Sequence, residues 1–352
     1  MTARRLTTGL ALGALVSLAL AGHAAAATKT VVAGAGKGTA TMNDFFPRKV
    51  AIHQGDTVSF SIQGFHNVYF PKKGGKSAPL FVPDKTTKYS GLSDPAGDPL
   101  WFNGVADRVT ISPLSAFPIG GSAYDGSAPL GSGIHEGAGA PPPFDVTFAK
   151  KGSFTYYCTI HPGMKGQVSV LPRSSRIPTA AQDKRTAGRQ LTREVRLAKR
   201  LDRRRTPKNT IRGGSDKNPV NHLKFYPANL RVKAGQAITF TVNPRNQEPH
   251  TLSIGPEAFL GEVVQNQITP VPNPAGPPTL VFDGRALLPS DPPSGKTPAV
   301  FDGAAHGGFF STGVLGARSS KTRAVRFRIT KPGAYDYICL IHPDMHGRIT
   351  VK

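Results

Sequence analysis

The sequence predicts an all-β chain built as two like domains in tandem, joined by a basic connector whose pattern is compatible with a helix. Three observations predict this. A stretch alternating apolar and polar residues occurs twice at a constant offset, and a loop of the form Cys-x-x-His-x-x-Met also occurs twice. The 352 residues include 39 Gly and 32 Pro, a composition that favours strands and loops over long helices. A chain of this length holds two or three domains, each with a core of its own.

The N-terminus reads as an export signal. Arg4 and Arg5 precede an apolar run, Leu10 to Ala21, and a small-residue zone, Ala24 to Ala27, near which cleavage is expected. The run is too short for a membrane span. Leu6-Thr7-Thr8 fits a twin-arginine signal poorly, so plain secretion is expected. The mature chain then divides into a first domain (28–172), a connector (173–217) and a second domain (218–352).

Each domain opens with matched strands. Phe46-Pro47, Val50, Ile52, Gly55, Val58 and Phe60 align with Tyr226-Pro227, Leu230, Val232, Gly235, Ile238 and Phe240. Both alternate around a Gly turn, the period of half-buried strands. Gly152 to Cys158 aligns with Gly333 to Cys339, and each loop is followed by a Gly and a closing strand, Gly166 to Val170 and Gly347 to Val351. Between the matched His and Cys each copy holds about 90 residues, too long a unit for a solenoid repeat. Gly/Pro-rich stretches there, Lys72 to Gly97 and Thr269 to Pro298, are expected as long surface excursions.

The connector is dominated by Arg and Lys, and within it Leu191, Val195 and Leu201 fall near one side of a helix over Ala180 to Arg205. It reads as a solvated segment that supplies much of the +23 formal charge. Its charge also suits an anionic surface such as lipid headgroups or acidic polymers. No nucleic-acid partner is expected of an exported chain.

The chemistry sits in the loops Cys158-Thr-Ile-His161-Pro-Gly-Met164 and Cys339-Leu-Ile-His342-Pro-Asp-Met345. A thiolate, an imidazole and a thioether on one short loop, joined by a second His, form the trigonal His₂Cys site with a weak axial Met that holds copper for electron transfer. His66 and His250 are the suitable upstream histidines. Soft Cys and Met suit Cu(I), and imidazole tolerates both oxidation states. The chain has two cysteines, both in these loops, so no disulfide is expected.

These residues resemble two members of the cupredoxin family, the small blue-copper proteins. The Cys-x-x-His-x-x-Met spacing is most similar to the amicyanin pattern, and His66-Asn67-Val68 is similar to the plastocyanin sequence around its first ligand. The resemblance implies two Greek-key β-sandwiches and two type 1 copper ions per chain. The first would be held by His66, Cys158, His161 and Met164, the second by His250, Cys339, His342 and Met345. It also implies that redox partners, donors and acceptors, dock near His161 and His342. Tyr157, beside Cys158, offers a second route to the surface; Ile338 stands in its place in the second copy.

Two other function classes share this architecture. Two-domain copper enzymes, nitrite reductase-like or laccase-like, add a catalytic copper held by further histidines. Here no His flanks either Cys, and no His-x-His pair occurs; such a site would have to draw on His53, His135, His222, His306 or His346. Copper storage or delivery favours open Met-rich clusters, and only four Met are present. An electron carrier is the leading expectation.

Overall fold

In the computed structural model, residues 26–135, 139–243, 248–293, 297–316 and 322–352 are described. The expected signal peptide lies outside them except for its last two residues. Alternation decides the strands. In Thr57–Ile62, Val58, Phe60 and Ile62 are buried; in Ala237–Val242, Ile238, Phe240 and Val242 are buried. A strand that buries every second residue must cover that face with a second sheet.

The chain is all-β in this way twice. In the first sandwich, one sheet runs in the order Ala40–Phe46, Thr28–Lys37, Thr57–Ile62, Phe144–Phe148, Ala123–Tyr124. It packs on Lys49–His53, Lys165–Leu171, Gly152–Tyr157, Tyr69–Phe70, Leu130–Gly131. The second sandwich has the same strand order: Phe225–Tyr226, Thr210–Gly213, Ala237–Val242, Ala324–Ile329, Ala299–Phe301 packs on Asn229–Val232, His346–Val351, Gly333–Ile338, Ser253–Ile254, Phe310–Ser311. The Gly after each loop has a packing reason. A Cβ on Gly166 would lie 2.3 Å from the ring of buried Tyr156, and one on Gly347 would lie 2.2 Å from the ring of buried Tyr337.

The basic segment differs from the solvated connector expected. It forms the helix Ala180–Asp202, capped by reciprocal hydrogen bonds between Thr179 and Gln182. Ala198 and Leu201, flanked by Leu191 and Val195, pack on Met42 and Phe46 of the first sandwich. Polar contacts fix the docking: Lys29 Nζ lies 2.8 Å from Asp183 Oδ2, and Gln190 Nε2 donates to Asp44 Oδ2 at 2.9 Å and to the Phe45 carbonyl at 3.0 Å. Near its C-terminus, Ser215 Oγ donates to the Leu201 carbonyl (2.8 Å), and His222 Nε2 meets that of Ala198 (2.9 Å). Both contacts tie the last turn of the helix to the segment that follows it. Apolar packing here comes from six residues among many arginines, which is why charge hid it.

The two halves also share structure. Val220–His222, expected within the second domain, pairs antiparallel with Ala40–Phe46 at the edge of the first sandwich. The long insertions, expected as surface excursions, make one four-stranded sheet: Ile268–Val271, Thr279–Phe282, Asp107–Ile111, Phe81–Lys88. Val281 and Phe282 pair there with Thr110 and Val109. Beneath it a separate core joins Tyr89, Leu100, Phe102 and Ile111 to Leu260, Leu280, Phe282 and Phe309. His306 ties the insertions further, its ring lying 3.3 Å from Asp94 Oδ2 and 3.0 Å from Asp291 Oδ1. Among the described residues no helix is long and apolar enough to cross a membrane.

Glu194 of the helix faces Asp44 of the sheet. Burial, and then the Asp44 carboxylate, push it up to about 8 from an ordinary 4.5. A raised folded-state value favours folding below the ordinary carboxylate range, and this contribution is lost as pH rises through about 8. Glu194→Gln removes that dependence. Its melting temperature should gain on that of the native chain as pH is raised from about 4.5 to about 8, measured by thermal denaturation across that window. A constant difference between the two proteins would refute the assignment.

Candidate metal centres

Both loops close in the same way. The strand Gly152–Tyr157 delivers Cys158, whose N–H donates to the Met164 carbonyl at 3.1 Å, while Met164 N–H donates to the His161 carbonyl at 3.0 Å. Cys339, Met345 and His342 repeat this at 3.0 Å and 3.0 Å. A loop pinned across its base presents Cys and His on one side and returns Met beside them. Met164 and Met345 are buried.

The upstream histidines are held by their successors. Asn67 takes the Thr159 N–H on Oδ1 and donates through Nδ2 to Thr159 Oγ1, both at 2.8 Å. Thr251 performs the corresponding task with one hydroxyl, accepting from Leu340 N–H at 2.8 Å. Each residue after the His is thus bonded to the residue after the Cys. Thr251 carries no motif of its own, and its one signal in the sequence is its position after His250, which matches that of Asn67 after His66. Small residues make room for the rings: at Gly34, with φ +82°, a Cβ would lie 2.5 Å from the His66 ring. A Cβ on Gly213 would lie 2.9 Å from His250 Cβ.

The structure brings His250, Cys339 and His342 together with their donor atoms within 4.8 Å of one another, and among the described residues no other group of three closes this tightly. Cys339 Sγ lies 3.7 Å from His342 Nδ1, and the two imidazole centroids are 5.0 Å apart. His250 is fully buried, yet neither ring nitrogen has a hydrogen-bond partner. Burial pushes the Cys339 thiol up, but His250 and His342 against the sulfur outweigh it and bring it well below the usual thiol range. Thr251 N–H adds a donor 3.4 Å from the same sulfur.

The first set is similar but looser. Cys158 Sγ lies 3.6 Å from His161 Nδ1, and the rings of His66 and His161 are 4.4 Å apart. His66 Nδ1 is engaged by the Gln63 carbonyl at 2.7 Å, which leaves Nε2 buried without a partner. Burial, and then His161, push His66 down to about 3, so its ring is neutral at physiological pH. Neutral imidazole is the form that binds metal; His342, in contrast, is pushed up to about 10 against its burial by the Cys339 sulfur and Glu248, a proton that metal binding would displace. Three orphaned ring nitrogens beside two thiols lowered by their histidines make a donor set that fits a soft metal such as copper.

Both loop histidines turn inward. The side chains of His161 and His342 are 12 % and 17 % exposed, and each points Nε2 at the same carboxylate, Glu248, at 3.9 and 3.8 Å. They line the floor of a cleft of about 1370 Å³ whose walls include Leu80, Phe81, Ile111 and Phe282. The two histidines near which redox partners are expected therefore lie in a recess. The remaining histidines scatter. His53 contacts the Ser175 carbonyl, His222 is bonded under the helix, His306 lies between Asp94 and Asp291, and His135 and His346 are exposed. Among the described residues none of these five joins a three-donor group.

No protein-family model and no curated protein matches the chain. Solved structures similar to parts of it include plastocyanin from Dryopteris crassirhizoma, 18 % identical over 41 % of this chain and 99 % of that one, with a TM-score of 0.22. Auracyanin A from Chloroflexus aurantiacus, described as a blue copper protein, is 24 % identical over 41 % and 98 %, TM-score 0.24. A purple cupredoxin from Nitrosopumilus maritimus is 14 % identical over 41 % and 98 %, TM-score 0.20.

Thr251→Val keeps the shape but leaves the Leu340 N–H, buried at the second loop, without its acceptor. Metal-free protein should lose about 1–3 kcal/mol of unfolding free energy, read by denaturant titration. A loss well below that range would mean Thr251 does not secure the loop.

Proposed function

We propose that this chain is an exported blue-copper protein that binds one type 1 copper in each sandwich and carries single electrons between redox partners. His66, Cys158, His161 and Met164 would hold the first ion, and His250, Cys339, His342 and Met345 the second. Copper supplies the one-electron couple between Cu(I) and Cu(II). The protein supplies a donor set acceptable to both states and a buried loop that resists rearrangement between them.

The observation that carries this reading is the fully buried His250, with two unpartnered ring nitrogens, beside the lowered thiol of Cys339 and Nδ1 of His342. An unsatisfied buried polar atom costs about 1–3 kcal/mol, a cost that a bound metal removes. The scatter of the remaining histidines supports a carrier over a copper enzyme, and the burial of the two committed methionines supports it over storage. Partners would dock over the cleft that His161 and His342 line. The outward residues of the docked helix, among them Arg185, Arg189, Arg193 and Arg196, are exposed and suit an anionic surface, with binding that weakens as salt is raised.

Copper-loaded mature protein should show an intense absorption band in the red and about two coppers per chain. Cys158→Ser and Cys339→Ser should each remove one copper's share of the colour and leave the rest intact. Colour that survives both substitutions together would sink the reading.

A further inference from the structure

Glu248 stands between the two centres and belongs to neither. Its residue is 6 % exposed, deep enough that an ionised carboxylate needs partners to remain there. Asn43 Nδ2, from the first sandwich, donates to Oε1 at 3.1 Å, and Asn221 Nδ2, from the strand that crosses between the halves, donates to it at 2.9 Å. Oε1 faces His161 Nε2 at 3.9 Å and Oε2 faces His342 Nε2 at 3.8 Å. These are ion-pair separations, closer than a bridging water would allow and longer than a made hydrogen bond.

The orientation of the two rings gives this contact its meaning. In each ring Nδ1 faces the Cys sulfur, at 3.6 Å for His161 and 3.7 Å for His342. A ring bound through Nδ1 carries its proton on Nε2, and the group met by Nε2–H fixes the ring's direction and its donor strength. Here one carboxylate meets both. The contacts run without a gap from Cys158 through His161, Glu248 and His342 to Cys339.

We propose that Glu248 is a positioning residue that joins the two centres into a single redox pair, fixing His161 and His342 so that an electron received at one centre passes to the other within the chain. This rests on the reading of each set as a one-electron copper centre. With copper held by both sets, one centre would be oxidised from Cu(I) to Cu(II) as the other is reduced from Cu(II) to Cu(I). One electron moves, both Nε2 protons stay in place, and no outside oxidant or reductant is consumed. A one-electron donor is needed only to load the pair. A carboxylate serving merely to tie the halves together would affect stability and leave this exchange alone.

The test uses the full copper-loaded chain. A pulse of radiolytically generated reductant, below one electron per chain, loads one centre, and redistribution between centres is followed optically. Cys158→Ser and Cys339→Ser provide the spectrum of each centre alone. In the native chain the redistribution rate should be independent of protein concentration. A rate proportional to concentration would mean that electrons pass between molecules, and the proposal falls. In Glu248→Gln, with copper content and red absorption retained, the rate should drop by about tenfold or more, because the amide offers one acceptor where two Nε2–H groups need one each. An unchanged rate there would also overturn it. Should Glu248→Gln fail to fold, Glu248→Asp, which keeps the charge and withdraws it by one methylene, must slow the exchange, and an unchanged rate in that variant counts against the proposal equally. A native chain without type 1 absorption would instead refute the copper reading itself.

Discussion

An ionised carboxylate cannot remain in a protein interior unless the surroundings replace the water it has lost. Glu248 finds those replacements only when both halves of this chain are in place. Asn43 and His161 come from the first sandwich, His342 from the second, and Asn221 from the segment that passes between them. Burial alone would drive its proton affinity up. The positive charges of His161 and His342 overcome that and hold Glu248 down to about 2. The shared insertion sheet, the strand Val220–His222 and the docked helix keep the two loops facing one another around this group.

That arrangement explains why the connector is packed. A solvated tether would let the two loops drift apart and expose Glu248 to water. Here His222 bonds under the helix while the adjacent Asn221 reaches the carboxylate, so one short strand serves both the helix and the centre. The basic outer face of the helix remains exposed, and its inner face carries the few apolar residues that seat it.

The parts legible in the sequence were those with a local period or a local motif. Alternation around Gly55 and Gly235 gave the paired strands, and the Cys-x-x-His-x-x-Met spacing gave the loops. Val58 and Phe60, or Ile238 and Phe240, announce their burial without any knowledge of what covers them. The pairing of Thr110 with Val281 could not be read, because it joins two short strands far apart in the chain, and no local period says which strand pairs with which. Glu248 was invisible for a similar reason. A single acidic residue in a loop ordinarily faces water, and only the meeting of two distant histidines gives it a different role.

The two centres are alike in construction and unlike in access. His250 and Cys339 are completely enclosed, and of their set it is His342 that lines the cleft. His66, Cys158 and His161 all line it, and Tyr157 beside them does as well. The first set also has one ring already committed to the Gln63 carbonyl, whereas both nitrogens of His250 are free of such a bond. Solvent exposure and the hydrogen bonding of ligands are the features by which a protein sets a metal's potential and reach. The same loop, built twice, therefore yields an outer centre open to the cleft and an inner centre whose one edge toward it is His342. On the proposed reading, a charge that enters at the first set would meet Glu248 before it meets the second, because the carboxylate lies between the two loop rings.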